Sequence, residues 1–98
     1  MKHGFLPAAQ QEYLEAVSFY EERQKGLGAA LVAEVDRAVR LACERPEAWR
    51  LVHSSGIRRI VLSRFPYVLF YRVSGEVLQV TALAHERKRP GYWMQRPG

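Results

Sequence analysis

The first half of the chain repeats apolar residues every three to four positions, in two separate stretches. The first stretch covers residues 7 to about 25 and carries glutamates on its opposite side, which is typical of an amphipathic helix. Gly26 and Gly28 interrupt the pattern, and a second apolar stripe begins near Leu31 and stops before Pro46. Because only a short break separates the two helices, the pattern predicts an antiparallel helical hairpin.

Beyond Pro46 the pattern changes to alternation, and β-branched and aromatic residues become frequent, which indicates β-strands. Three strands are predicted, at Ile57–Leu62, Tyr67–Val73 and Val77–Ala84. Turns are predicted at Ser63–Pro66 and Ser74-Gly75, and His3–Leu6 is a candidate for a short edge strand. We therefore expect an α+β fold, with an N-terminal helical hairpin packed on one face of an antiparallel sheet of three to four strands. The length predicts a single domain over residues 1–98.

Alternate side chains of a strand point to opposite faces of the sheet, so turn lengths predict which residues share a face. With two residues in the Ser74-Gly75 turn, one face is almost entirely apolar and should lie under the helices. Its members are Tyr67, Leu69, Tyr71, Leu78, Val80, Ala82 and Ala84. The other face is mixed, and its members are Arg59, Val68, Phe70, Arg72, Val77, Gln79, Thr81, Leu83 and His85.

The mixed face is the first candidate binding surface. An aromatic ring such as Phe70 can stack on bases, while the guanidinium groups of Arg59 and Arg72 hold phosphates and Gln79 offers an amide. The alternative is a solvent-exposed sheet face whose polar residues interact only with water and bind no partner. Apolar side chains on an open face favour a partner, but both interpretations stay open at the level of the sequence.

The charge of the chain is unevenly distributed along its length. Residues 1–48 carry six Lys/Arg and eight Asp/Glu, whereas residues 49–98 carry nine and two. Twelve of the fifteen cations are arginines, which bind carboxylates and phosphates through paired hydrogen bonds. The second half is therefore expected to contact an anionic partner, either a nucleic acid or an acidic protein segment, unless its basicity serves solubility alone.

A dense group of ionisable side chains follows the last predicted strand. His85, Arg87 and Arg89 precede a Pro-Gly turn at residues 90–91 and the aromatic residues Tyr92 and Trp93. An imidazole, two guanidinium groups and a phenol can move a proton and stabilise a pentavalent phosphorane in metal-free RNA cleavage. The structural alternative is that the two aromatics pin the C-terminus to the domain. We favour the structural interpretation for the aromatics and the functional one for the two arginines.

Composition excludes or disfavours several classes of protein. The single cysteine excludes an internal disulfide framework and a multi-cysteine zinc site. The three histidines lack metal-ligand spacing, so neither a metal nor another cofactor is expected. No apolar run approaches the roughly 20 residues that span a membrane, and the N-terminal residues lack the pattern of a secretory signal. We therefore expect a cytoplasmic protein that does not contact membranes.

Four short stretches, in this order along the chain, carry a family resemblance. They are Tyr20-Glu21-Glu22 with Gly26-Leu27-Gly28, then Gly56-Ile57-Arg58-Arg59, then the run from Arg64 to Val73, then Ala84-His85-Glu86-Arg87. Together they resemble the RelE/ParE superfamily of toxins from bacterial type II toxin–antitoxin systems. The resemblance implies a small growth-inhibiting toxin of the kind that stabilises plasmids. It also implies a cognate antitoxin, encoded beside the toxin, that holds it inactive in a hetero-oligomeric complex.

One branch of the superfamily, typified by RelE, consists of ribosome-dependent endoribonucleases that cut messenger RNA through attack by the 2′-hydroxyl group. Similarity to this branch implies catalytic roles for Arg64, Arg87 and Tyr92, with His85 as a further candidate. The spacing from arginine to tyrosine departs from the RelE pattern. The lysine pair of that branch has no counterpart, because Lys88 is the only lysine in the second half.

The other branch, typified by ParE, inhibits DNA gyrase by binding and has no known hydrolytic site. The Arg58-Arg59 pair and the runs at residues 70–73 and 83–87 resemble this branch more closely. We therefore favour a ParE-like toxin that is not an enzyme, with a RelE-like messenger RNA endoribonuclease as the alternative. A third interpretation is a non-toxic module that binds its antitoxin or RNA. The candidates for binding the target or the antitoxin are Arg59, Phe70, Arg72, Gln79, Arg87 and Arg89.

Overall fold

Five strands and two helices make up the fold in the computed structural model, which describes residues 1–89, 91–94 and 96. The elements in chain order are β1 (Lys2–Phe5), α1 (Pro7–Arg23), α2 (Leu27–Glu44), β2 (Arg50–Leu51), β3 (Arg58–Val61), β4 (Tyr67–Ser74) and β5 (Val77–His85). The sheet order is β1-β5-β4-β3-β2. The predicted α+β arrangement is confirmed, but the prediction of three to four antiparallel strands is wrong: the sheet has five strands, and β1 runs parallel to β5.

The two additional strands lie at the edges of the sheet. β1 overlaps the predicted short edge strand and runs parallel to β5. Parallel strands require a long connection, and the helical hairpin and three further strands supply it here. β2 contains two residues, Arg50 and Leu51, paired with Arg59 and Arg58. Two residues are too few for alternation to register in a sequence pattern.

The turn between the helices is built around one carboxylate. Glu21 accepts hydrogen bonds from the backbone N–H groups of Gly26, at 3.1 Å, and Gly28, at 3.0 Å. Gly26 has φ of 95°, which favours glycine, and a Cβ on Gly28 would approach the Glu21 carboxylate oxygen to 2.9 Å. The Glu21 carboxylate, although exposed, therefore caps the start of α2.

The main core lies between the helices and one face of the sheet. α2 contributes six buried residues, which are Gly28, Leu31, Val35, Ala38, Val39 and Ala42. From the sheet, Leu69, Tyr71, Leu78 and Val80 are fully buried. The Tyr71 hydroxyl donates a hydrogen bond to the Pro46 carbonyl at 2.6 Å, so this buried polar group keeps a partner.

A β-bulge at Thr81 changes the predicted assignment of faces in the second half of β5. Tyr71 pairs with Val80, but its neighbour Phe70 pairs with Ala82, which leaves Thr81 as the extra residue. The hairpin turn also shifts by one residue, because Ser74 pairs with Val77. The predicted faces are therefore correct as far as Val80 and wrong beyond the bulge. The affected positions are Ala82 and Ala84, which lie on the face away from the helices, and Leu83 and His85, which lie on the helix side.

Among the described residues, neither helix is long and apolar enough to cross a membrane.

Candidate functional site

The face of the sheet away from the helices, the far face, brings four of the predicted binding residues onto one side. Arg59 pairs with Phe70 across β3 and β4, and Arg72 pairs with Gln79 across β4 and β5. The Arg72 guanidinium also donates to the Gln79 side-chain oxygen at 3.2 Å. His85 was predicted to join this face, but it follows the bulge and therefore lies on the helix side of the sheet. Its ring meets that of Tyr67 edge-on, with 5.2 Å between the ring centroids.

The far face is covered in part by the end of the chain. The described residues of this end, Gly91–Met94 and Arg96, are called the C-terminal strap. Its Trp93 is 5 % exposed and lies against Phe70, with 4.3 Å between ring centroids. Ile57 and Ala82 complete a second apolar cluster under the indole. The expectation of an open sheet face is thus corrected, while the prediction that the aromatics pin the C-terminus is supported by this packing. Pro90, the first residue of the predicted turn, lies outside the described residues.

A groove of about 360 Å³ lies beside this strap on the far face, and we call it the far-face groove. Its apolar lining consists of Val61, Val68, Phe70, Ala84 and Trp93. The charged residues along it are three cations, Arg59, Lys88 and Arg89, and one carboxylate, Glu86. An apolar floor with an excess of positive charge suits a ligand that carries both apolar and anionic groups.

The strap is fastened on the helix side of the sheet by Glu12 of α1. The Glu12 carboxylate forms two hydrogen bonds with the Arg96 guanidinium, both at 2.9 Å, and accepts another from the Tyr92 hydroxyl. It also accepts the backbone N–H of Leu83 at 3.0 Å. Arg96 donates to the carbonyl of Thr81 at 3.0 Å. Side chains thereby satisfy backbone groups on the edge of β5, where β1 no longer pairs with it.

These contacts set the protonation behaviour of the cluster. Burial raises the pKa of the Glu12 carboxyl, but the hydrogen bonds from Arg96, Tyr92 and Leu83 outweigh burial, so the net effect is a lowered pKa. Burial and the hydrogen bond to Glu12 raise the pKa of the Tyr92 phenol well above its ordinary value. The result is a carboxylate held in its charged form and a phenol held in its neutral form.

A second groove, of about 260 Å³, lies on the helix side of the strap, and we call it the α1 groove. Glu12, Glu15, Ala16 and Phe19 of α1 line one part of it. The remaining lining residues are Tyr67, Leu83, His85, Lys88 and Tyr92. Three of these, His85, Lys88 and Tyr92, also line the far-face groove. The two grooves therefore lie back to back and share one wall.

The residues predicted for catalysis lie near one end of the sheet, although they do not share one cavity. The backbone N–H of Glu86 donates to the Pro66 carbonyl at 2.8 Å, which places the turn of Arg64 beside the turn of Arg87. Both arginine side chains are exposed and line neither groove. Tyr92 faces Glu12 instead. Among the described residues, no three His, Cys, Asp or Glu side chains are grouped to hold a metal.

Sequence reasoning did not identify Glu12 as part of the site. Glu12 lies on the polar side of α1, where a solvent-exposed glutamate is expected. Its hydrogen-bond partners lie 71 to 84 residues away, and no local sequence pattern reveals such contacts. Lys88, which lines both grooves, carries no sequence signal beyond being the only lysine in the second half. The run of Tyr92 and Trp93 was the one available signal that the end of the chain packs on the domain.

Comparison with known proteins agrees with this architecture. The sequence pattern of the family described as "ParE toxin of type II toxin-antitoxin system, parDE" matches residues 5–90. A solved structure described as "Chromosomal ParDE TA system from P. aeruginosa" has a similar fold, with a TM-score of 0.73. The likeness covers 87% of this chain and 95% of that one, at 18% identity, so it supports the fold alone. Among curated proteins, none matches this chain.

The family match extends from β1 through all of the remaining elements to the turn after β5, and includes the four stretches that carried the resemblance in the sequence. The chain therefore belongs to the ParE toxin family of type II toxin–antitoxin systems.

Proposed function

We propose that this toxin inhibits DNA gyrase by binding, without cleaving a substrate, and that a cognate antitoxin neutralises it. The far-face groove is the surface proposed to contact the target. Membership of the ParE toxin family supports the toxin role. The choice of binding over hydrolysis rests on the chemistry of the residues described above.

The far-face groove is the observation that carries the proposal. It combines an apolar floor, which includes Phe70 and Trp93, with the cations Arg59, Lys88 and Arg89. Such a surface binds through complementary shape and charge. Arg72 and Gln79 extend the same face towards the β4–β5 turn, so they offer further contacts to a partner larger than the groove.

The test is a gyrase supercoiling assay with purified toxin. We expect Arg59→Ala to weaken inhibition by roughly tenfold, because loss of about 1.4 kcal/mol of binding free energy changes an affinity by that factor. Arg40→Ala is the matched control, since Arg40 is an exposed arginine of α2 on the opposite layer. Normal supercoiling in the presence of the wild-type toxin would refute gyrase as the target. Equal activity of the two variants would refute the groove.

A RelE-like endoribonuclease is the second candidate, favoured by the proximity of the turns that carry Arg64 and Arg87. The position of Tyr92 argues against it. A general acid–base group works best with a pKa near the operating pH, whereas the Glu12 carboxylate raises the pKa of the Tyr92 phenol. The phenol is also half-buried and bonded to that carboxylate.

The endoribonuclease is tested by mapping messenger RNA ends on ribosomes after the toxin is induced. If it is correct, Arg87→Ala abolishes cleavage while binding to the antitoxin survives. Intact messages in cells that stop growing would exclude it and favour the gyrase proposal. A protein that only binds its antitoxin or RNA would leave growth unchanged when expressed without that partner.

A further inference from the structure

The far-face groove depends on a residue that lies on the other layer of the molecule. Two of its lining residues, Tyr92 and Trp93, belong to the C-terminal strap. The strap crosses the edge of β5 and is bonded to α1 only through Glu12, among the hydrogen bonds of the described residues. A contact on the helix side thus holds a wall on the far side.

We propose that Glu12 is the positioning residue of the far-face groove. It latches the C-terminal strap over the edge of β5, and this latch keeps Tyr92 and Trp93 in place as the wall of the groove. The effect on toxicity rests on the function proposed above, whereas the effect on the wall does not.

The contacts of Glu12 distinguish a latch from an ordinary surface ion pair. Both carboxylate oxygens bond to Arg96, and the Glu12 and Arg96 side chains are only 19% and 18% exposed. A two-point arginine–carboxylate pair fixes geometry as well as distance. Lys88 and Arg96 also lie over the ring of Tyr92, at 5.2 and 4.8 Å from its centroid, which adds cation–π contacts to the same latch.

Glu15 provides a comparison within the same helix. It lines the α1 groove beside Glu12 and is exposed, and its carboxylate accepts a hydrogen bond from the side-chain amide of Gln11, within α1 itself. Removing the Glu15 carboxylate therefore changes the charge of the α1 groove without touching the strap. Glu15→Ala is accordingly the matched control for Glu12→Ala.

The experiment measures the solvent access of Trp93 by acrylamide quenching of its fluorescence. Trp49→Phe is the background, because Trp49 is the other tryptophan, and circular dichroism reports whether each variant folds. We expect the quenching constant to rise roughly threefold in Glu12→Ala, because local opening converts a protected indole into an exposed one. Glu15→Ala should leave it unchanged. Glu12→Gln should give a smaller rise, since the amide keeps one acceptor for Arg96.

Arg96→Ala breaks the latch from the other side. It leaves the bond between Glu12 and the Leu83 backbone intact, so it separates the latch from the support that Glu12 gives to β5. It also leaves the hydrogen bond from the Tyr92 hydroxyl to Glu12 in place, so the quenching constant of Trp93 should rise by less than in Glu12→Ala. This variant decides the question if Glu12→Ala fails to fold. A protected Trp93 in Arg96→Ala would overturn the proposal.

Growth inhibition by the same variants separates this inference from the proposed function. Exposure of Trp93 together with a loss of toxicity, without a loss in Glu15→Ala, supports the whole proposal. Exposure of Trp93 with full toxicity supports the latch but overturns both its role in toxicity and the far-face groove as the target surface.

Discussion

Truncation of Trp93 tests whether the C-terminal strap is part of the folded structure in solution. Trp93→Ala removes an indole that is 5 % exposed and packed on Phe70, Ile57 and Ala82. Replacement of a buried aromatic by alanine costs about 3–5 kcal/mol. We expect a value of about 3 kcal/mol, at the lower end of that range, because a strap near a chain end can relax into the space left behind.

The assay is urea-induced unfolding followed by far-ultraviolet circular dichroism. If wild type and variant share the same m-value, the dependence of unfolding free energy on urea concentration, the difference between their midpoints reports the change in stability. Trp93→Phe keeps an aromatic ring on Phe70 and should cost only about 1 kcal/mol. In a double-mutant cycle with Phe70→Leu, the coupling free energy between the two rings should be about 1 kcal/mol. A loss below about 0.5 kcal/mol for Trp93→Ala, the range of ordinary surface substitutions, would refute the packing of Trp93 on the sheet.

Three further substitutions and one pH series test the contacts that define the fold. Tyr71→Phe removes the 2.6 Å hydrogen bond to the Pro46 carbonyl and should lower the unfolding free energy by about 1 kcal/mol; an unchanged urea midpoint would contradict this. Glu34→Ala removes the acceptor of the Ser63 and Arg64 backbone N–H groups, at 2.6 and 2.8 Å, and should lower the unfolding free energy by about 1–2 kcal/mol in a urea titration. As the control, Glu44→Ala at an exposed position should change it by less than about 0.5 kcal/mol. Gly28→Ala places a Cβ 2.9 Å from the Glu21 carboxylate and 3.0 Å from a backbone carbonyl, so thermal unfolding should show a loss of about 1–3 kcal/mol, and a gain would mean that the helical turn is looser than described. The pKa of Glu12 is lowered in the folded state, so the ionised carboxylate contributes fully to stability above the ordinary pKa of 4.5, and this contribution is lost as the pH falls through the folded pKa. The difference in unfolding free energy between wild type and Glu12→Gln should therefore shrink on acidification. A constant difference would contradict the linkage.

The layered fold could be predicted because its signals are local. The periodicity of each helix, the glycines between the helices and the alternation in β4 each depend on residues within a few positions of one another. The two edge strands were harder to predict because their signals are not local. β2 is too short to show a pattern, and the parallel pairing of β1 depends on residues 75 positions away, as Lys2 and Val77 show.

The bulge at Thr81 could not be predicted from alternation, because the residues after it are apolar in either register. Ala82, Leu83 and Ala84 are apolar and can be buried on either face of the sheet. Leu83 enters the main core, Ala82 packs under the indole of Trp93, and Ala84 lines the far-face groove. Alternation specifies the register of a strand only where the two faces differ in polarity. The reversal of Leu83 and His85 follows directly from this loss of contrast.

The candidate site was predicted only in part because it is assembled from both ends of the chain. The shared face of Arg59, Phe70 and Arg72 follows from strand parity before the bulge. The far-face groove itself requires the strap, and the strap requires Glu12, whose partner Arg96 is 84 residues away. Long-range ion pairs of this kind are set by the folded geometry and leave no periodic trace in the sequence.

The wall of His85, Lys88 and Tyr92 between the two grooves has a thermodynamic consequence. A molecule that binds in the α1 groove and displaces Tyr92 necessarily alters the affinity of the far-face groove for its own ligand. Linkage requires the effect to be reciprocal and of equal size in both directions. Two partners on opposite layers would then be coupled without touching each other, through the displacement of a single phenol ring.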